Sequence, residues 1–134
     1  MTVLDTSAVV DHLLDEEAAA QVGALLAREP ASAAPDVLVF EVLAVLRRAV
    51  LRSALAPERA RGAVEDLGDI RVDLFPSLPL RRRAWELREN LTAADGLFVA
   101  LAEQLGEPLA TKDRRLAAAA HRHAGIEVVE LAGD

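Results

Sequence analysis

Short apolar runs alternate with longer stretches of helical period along the whole chain. Thr2-Val3-Leu4 is a brief apolar run that delivers Asp5, Thr6 and Ser7 and passes into a helical pattern from Ala8 to Leu14. Asp15-Glu16-Glu17 reads as the opening of a second helix reaching about Arg28, since acids are favourable at a helix N-terminus, and Pro30 ends it. The small residues Ala31 to Ala34 predict a short strand. Pro35-Asp36 then starts the most apolar helix, Val37 to Leu46, whose continuation turns polar at Arg47, Arg48 and Arg52. Pro57-Glu58 begins a helix to about Leu67, and Ile70 to Phe75 alternates like a strand with one face less buried. Helices are expected over Pro79 to Leu91 and from Thr92 to Leu105, the latter stopped by Gly106. Leu109-Ala110-Thr111 is a short strand, a helix follows to about His123, Gly125 breaks it, and Ile126 to Leu131 forms a last strand. Strands alternating with helices predict an α/β fold with a mainly parallel central sheet flanked by helices. With 134 residues and no repeat or linker, one domain over 1–134 is expected.

Composition narrows what such a domain does. There is no cysteine, so disulfides, thiolate zinc sites and cysteine nucleophiles are excluded. Aromatic residues are 3% of the chain, too few for base stacking to dominate an affinity. No basic leader precedes the first strand and no apolar run approaches a membrane span, which points to a soluble, cytoplasmic protein. A formal net charge of −7 argues against unspecific coating of nucleic acid, though not against an enzyme whose acids are concentrated at one site.

Four acids stand out by position. Asp5 ends the first strand, Glu41 lies inside an apolar helix, Asp95 is in the first turn of a helix, and Asp113 follows a short strand. Capping accounts for three of them: Asp5 and Asp113 as N-caps and Thr92-x-x-Asp95 as a capping box. Glu41 has no such role, because an acid amid apolar positions needs a partner unless it lies on a polar stripe. In a right-handed α/β sheet, strand ends and the helix starts after them share one edge, so the four acids can converge. Carboxylates gathered in one cleft raise each other's pKa unless a cation joins them. Hard oxygen donors without Cys or a usable His pair select Mg²⁺ or Mn²⁺. His12, His121 and His123 form no i, i+4 pair and are read as ordinary histidines.

Four stretches together resemble the ordered motifs of PIN-domain ribonucleases, most nearly the VapC toxins of bacterial toxin–antitoxin pairs. They are Leu4-Asp5-Thr6-Ser7-Ala8-Val9, the helix from Phe40-Glu41 to Arg47-Arg48, Ala94-Asp95-Gly96-Leu97-Phe98-Val99-Ala100-Leu101-Ala102-Glu103, and Leu109 to Leu116 around Thr111-Lys112-Asp113. Gly96 departs from the Ala usual after the third acid, which would loosen the start of that helix, and Ala94 replaces a residue commonly aromatic or polar. The resemblance implies a PIN domain that cleaves RNA with metal-activated water, leaving a 5′-phosphate and a 3′-hydroxyl. It implies Asp5 and Asp95 as direct metal ligands, Glu41 and Asp113 acting directly or through water, and Thr6, Ser7 and Thr111 as polar support. It also implies Mg²⁺ or Mn²⁺ as cofactor, a VapB-like antitoxin as partner, and a homodimer. Arg47, Arg48 and Arg52 downstream of Glu41, and Arg114 and Arg115 beside Asp113, are candidates for RNA phosphate contact. Lys112 is either a phosphate contact or an exposed loop lysine, and Arg81-Arg82-Arg83 reads as a solvated helix face.

Rival readings fit less well. A phosphotransfer receiver needs paired acids near its phosphoacceptor, and a haloacid-dehalogenase-type phosphatase needs a second Asp two residues after the first; Asp5-Thr6-Ser7 offers neither. Gly-x-Gly-x-x-Gly and P-loop motifs are absent. A non-catalytic PIN-like binding module would be expected to lose one or more acids, and all four are present. A housekeeping RNA-processing nuclease would carry the same four.

Overall fold

A computed structural model describes residues 1–28 and 30–132; the last two positions of the expected 1–134 span, and Glu29, lie outside the described residues. Five parallel strands form one sheet in the order β3-β2-β1-β4-β5: β1 Val3–Leu4, β2 Ser32–Pro35, β3 Val72–Phe75, β4 Leu109–Thr111 and β5 Val128–Glu130. The register sets Val3 beside Ala33 on one side, Leu4 beside Ala110 on the other, and Thr111 beside Glu130. The chain first builds outward from β1 through β2 to β3, then returns to the other side of β1 for β4 and β5. Connections of one hand therefore send α1 (Thr6–Leu14), α2 (Ala19–Leu26), α3 (Val37–Leu51) and α4 (Pro57–Leu67) to one face. The helices α5 (Arg81–Glu86), α6 (Ala93–Leu105) and α7 (Arg114–Ala124) cover the other. The order reverses between β1 and β4, where open α/β sheets leave a crevice at the carboxyl edge.

The core is aliphatic, as the composition requires. Strands β1, β2 and β4 are wholly buried, and α6 buries Phe98 to Ala102 without interruption, enclosed by β1, β2 and β4 of the sheet and by the helices α5 and α7. Phe98 is fully buried, a contribution of about 1.5–3 kcal/mol. Gly96, on the same helix, allows a close approach rather than loosening it: a Cβ there would stand 3.1 Å from the Ala84 carbonyl of α5. Gly106 and Gly125 end α6 and α7 at φ 65° and 64°, as the sequence predicts.

Two elements differ from expectation. Asp15-Glu16-Glu17 does not open α2; Asp15 sits at φ 54° as the left-handed cap of α1, with the Glu16 N–H donating to the Asp11 carbonyl at 2.8 Å. A short polar side chain tolerates that conformation, and the cap satisfies carbonyls that would otherwise be orphaned. The helix expected over Pro79 to Leu91 is a 3₁₀ turn at Leu78–Leu80 followed by α5, which ends at Glu86. Beyond it, Arg88 N–H bonds Trp85 O and Asn90 N–H bonds Leu87 O, tightening the chain into i→i−3 turns. The apolar helix α3 buries only the stripe Leu38, Val42 and Leu46, leaving Phe40 68% exposed and Leu43 44% exposed.

Candidate active site

Asp5 is held where β1 meets α1. Its backbone N–H bonds Ala110 O at 3.2 Å, continuing the β1–β4 pairing for one residue past the strand. Its Oδ1 accepts from Ala8 N–H at 3.0 Å and Ser7 Oγ at 2.8 Å, and its Oδ2 accepts from Thr111 Oγ1 at 2.5 Å. The capping and site roles thus coexist, because the cap uses one oxygen and the other points across to β4. The Thr111 hydroxyl also accepts from Asp113 N–H at 2.9 Å, and Ser7 Oγ from Lys112 N–H at 3.2 Å. Asp5 is buried, and burial pushes its carboxyl up to about 6, opposed by the Thr111, Ala8 and Ser7 hydrogen bonds and reinforced by the charge of Asp95.

The other acids arrive from three separate helices. Thr92 caps α6, its Oγ1 accepting from Asp95 N–H at 3.1 Å, and this places Asp95 in the first turn. Partial burial raises the Asp95 carboxyl above its ordinary value; the Thr92 hydroxyl opposes that, and the charges of Glu41 and Asp113 add to it. Glu41 of α3 is half-buried rather than on a solvated stripe, and its Oε1 accepts from Thr6 Oγ1 at 2.9 Å. Asp113 caps α7 through Oδ1, accepting from Arg115 N–H at 2.9 Å and Leu116 N–H at 3.1 Å. Asp5, Glu41, Asp95 and Asp113 all line one open cleft of about 360 Å³, with Thr6, Ser7 and Arg48 on its walls. Asp95 and Asp113 also border a neighbouring hollow of about 220 Å³ that contains Asn90, Thr92 and Arg115.

Arg48 and Arg115 thus reach the acidic region, whereas Arg47, Arg52 and Arg114 line neither hollow. Arg83 of the α5 triplet is not simply solvated: it forks onto Glu103 at 2.8 and 3.2 Å, which raises its pKa, and bonds Glu86. A fifth acid of the cleft, Asp11, was not singled out from the sequence. It is buried on α1, accepts from Ala18 N–H at 3.0 Å, and pairs with Lys112 Nζ at 2.9 Å. That hydrogen bond raises the Lys112 pKa, and Lys112 is neither free in a loop nor turned to solvent. The signal was available, since Asp11 interrupts the apolar run of α1 as Glu41 interrupts that of α3.

The cleft offers only oxygen donors, the set that hard divalent cations take. Glu41 and Asp113 each commit one carboxylate oxygen to the hydrogen bonds above and keep the other uncommitted. Among the described residues, no three Asp, Glu or His side chains are arranged in this structure so that they could hold a metal ion together. Burial is the main cause of the raised carboxyls of Asp5 and Asp95, and the charges of neighbouring acids add to it; a cation beside these acids would offset that added repulsion. The donor chemistry of the cleft therefore fits such an ion. No helix among the described residues is long and apolar enough to cross a membrane.

A family model described as PIN domain matches residues 2–122. A Mycobacterium tuberculosis protein named Ribonuclease VapC1 is 45% identical over 118 residues, covering 87% of this chain and 89% of the relative. Another from the same organism, named Ribonuclease VapC12, is 40% identical over 129 residues, covering 96% and 99%. Among solved structures, VapBC2 from Rickettsia felis bound to a promoter DNA fragment shares the fold at a TM-score of 0.69 and 14% identity, with 98% of each chain covered. VapBC-5 from Mycobacterium tuberculosis does so at 0.60 and 23% identity, covering 97% of this chain and 98% of that one.

Proposed function

This chain belongs to the PIN-domain family, and on that premise we propose that it is a Mg²⁺- or Mn²⁺-dependent endoribonuclease and the toxin of a VapB-like antitoxin. The observation that carries this reading is the convergence of four carboxylates, from four separate elements, on one cleft at the sheet's carboxyl edge. Its relatives named VapC ribonucleases, at 40–45% identity, support the reaction class.

Asp5 and Asp95 are the principal residues to hold the ion, with Glu41 and Asp113 binding directly or through water. When bound, such an ion supplies charge neutralisation at the phosphate and a more acidic water as nucleophile. The chain's own part is pre-organisation. Three donors fix the Asp5 carboxylate, Thr6 fixes Glu41, and the Thr111 hydroxyl links Asp5 to the Asp113 backbone, so these three acids are held in place before substrate arrives. Cleavage then leaves a 5′-phosphate and a 3′-hydroxyl.

The antitoxin reading is supported by the acidity of the cleft, which suits an inserted arginine. Pairing of two copies is supported by exposed apolar side chains such as Phe40, Leu43 and Trp85. The test is cleavage of total RNA by purified, antitoxin-free protein with Mg²⁺, with Mn²⁺ and with EDTA, alongside Asp95→Asn. Metal-dependent bands that vanish in the variant are expected. Equal cleavage by Asp95→Asn, or cleavage unaffected by EDTA, overturns the assignment.

A further inference from the structure

The four arginines that flank the acids in sequence fall into two classes in space. Arg48 lines the main cleft and Arg115 the adjoining hollow, while Arg47 and Arg114, one residue away from each, line neither. The two hollows meet along Asp95 and Asp113, which border both. Among the described residues, neither the Arg48 nor the Arg115 guanidinium makes a hydrogen bond or ion pair, although each stands beside several acids. Lys112, by contrast, is engaged by Asp11 at 2.9 Å. A guanidinium left unpaired at an acidic cleft keeps its bidentate face open for phosphate, the group that face fits best.

Resting on the ribonuclease reading, we propose that Arg48 and Arg115 form a two-point clamp on the backbone of single-stranded RNA. Each takes one phosphate on its own side of the Asp95–Asp113 divide. A strand whose scissile phosphate lies at the divide has a neighbouring phosphate in each direction, and each hollow supplies one cation for it. With a net charge of −7, the chain as a whole repels RNA, so the protein's own attraction for the strand comes from local contacts such as these. The clamp orients the strand and contributes no proton or nucleophile.

Binding is read by fluorescence anisotropy of a labelled, mixed-sequence single-stranded RNA in Mg²⁺ at several salt concentrations. The Asp95→Asn background keeps the probe intact, which a gel verifies. Arg48→Ala and Arg115→Ala are each expected to weaken binding about tenfold and to lower the slope of log affinity against log salt by about 0.7, one phosphate's share for a single strand. Arg47→Ala and Arg114→Ala are expected to move neither quantity by as much as half of this. In the chain with all its acids, Arg48→Ala and Arg115→Ala are expected to raise KM and leave kcat close to unchanged. Binding that depends on both arginines in a chain that cuts no RNA would sustain the clamp and reject the nuclease reading. Cleavage with affinity and salt slope indifferent to Arg48 and Arg115 would reject the clamp alone. Equal losses from all four arginines would replace it with a diffuse field, and the absence of any binding would also overturn it.

Discussion

Replacing Asp5 by Asn should shift the stability of the ion-free protein in the variant's favour as pH rises. Asp5 is buried and its carboxyl is raised to about 6 from 3.8, so folding favours its neutral form. Stability from this group is fully present below the unfolded pKa and is lost as pH rises through about 6. The full loss corresponds to about 3 kcal/mol, of which between about 1 and 2 kcal/mol falls between pH 5 and pH 7.5. Asn keeps an oxygen for Ser7 and Ala8 but turns an amide toward Thr111, whose hydroxyl must then accept from it as well as from Asp113 N–H. The Thr111 proton loses its acceptor, a cost of about 1–3 kcal/mol that does not depend on pH. The net sign at one pH is therefore a close balance, and the change across pH is the clean quantity. Thermal unfolding of wild type and Asp5→Asn in EDTA at pH 5, 6 and 7.5 should show the variant gaining on wild type by roughly 4–8 °C over that range. A difference in Tm that stays flat with pH, or shrinks, would refute the idea that Asp5 is a buried, uncompensated carboxylate.

Mn²⁺ should raise the Tm of wild type, increasingly as its concentration passes the Kd of the cleft, and leave Asp5→Asn and Asp95→Asn almost unmoved; a differential scanning fluorimetry titration reads this, and equal shifts in all three would place the ion elsewhere. Gly96→Ala should destabilise by about 1 kcal/mol or more in urea unfolding, because overpacking against the Ala84 backbone at 3.1–3.3 Å outweighs the helix propensity gained. Lys112→Met should cost about 2–4 kcal/mol by leaving Asp11 buried and unpaired, and the double variant Asp11→Asn/Lys112→Met should recover part of it.

What the sequence determined by itself is what short-range chemistry dictates. Thr92 and Asp113 as helix caps, Gly106 and Gly125 as stops, and the strand Leu109–Thr111 all depend on hydrogen bonds or backbone angles within a few residues. The identity of the four acids was legible for the same reason, since each interrupts or ends a local pattern in a way that needs explaining. The α/β class followed from the alternation of elements, because sheet crossovers permit few arrangements. Only the tertiary structure decided the rest. Asp11 finds Lys112 101 positions away, and Thr111 finds Asp5 across 106, contacts that no local periodicity encodes. Gly96 lets the backbone of another helix come close, whereas propensity alone suggests a weak spot. Phe40 and Leu43 belong to the most apolar helix of the chain, yet its packed stripe is only Leu38, Val42 and Leu46. Adjacent arginines were equivalent in sequence and part company in space, because one residue along a helix turns a side chain by about 100° and so from the cleft toward solvent.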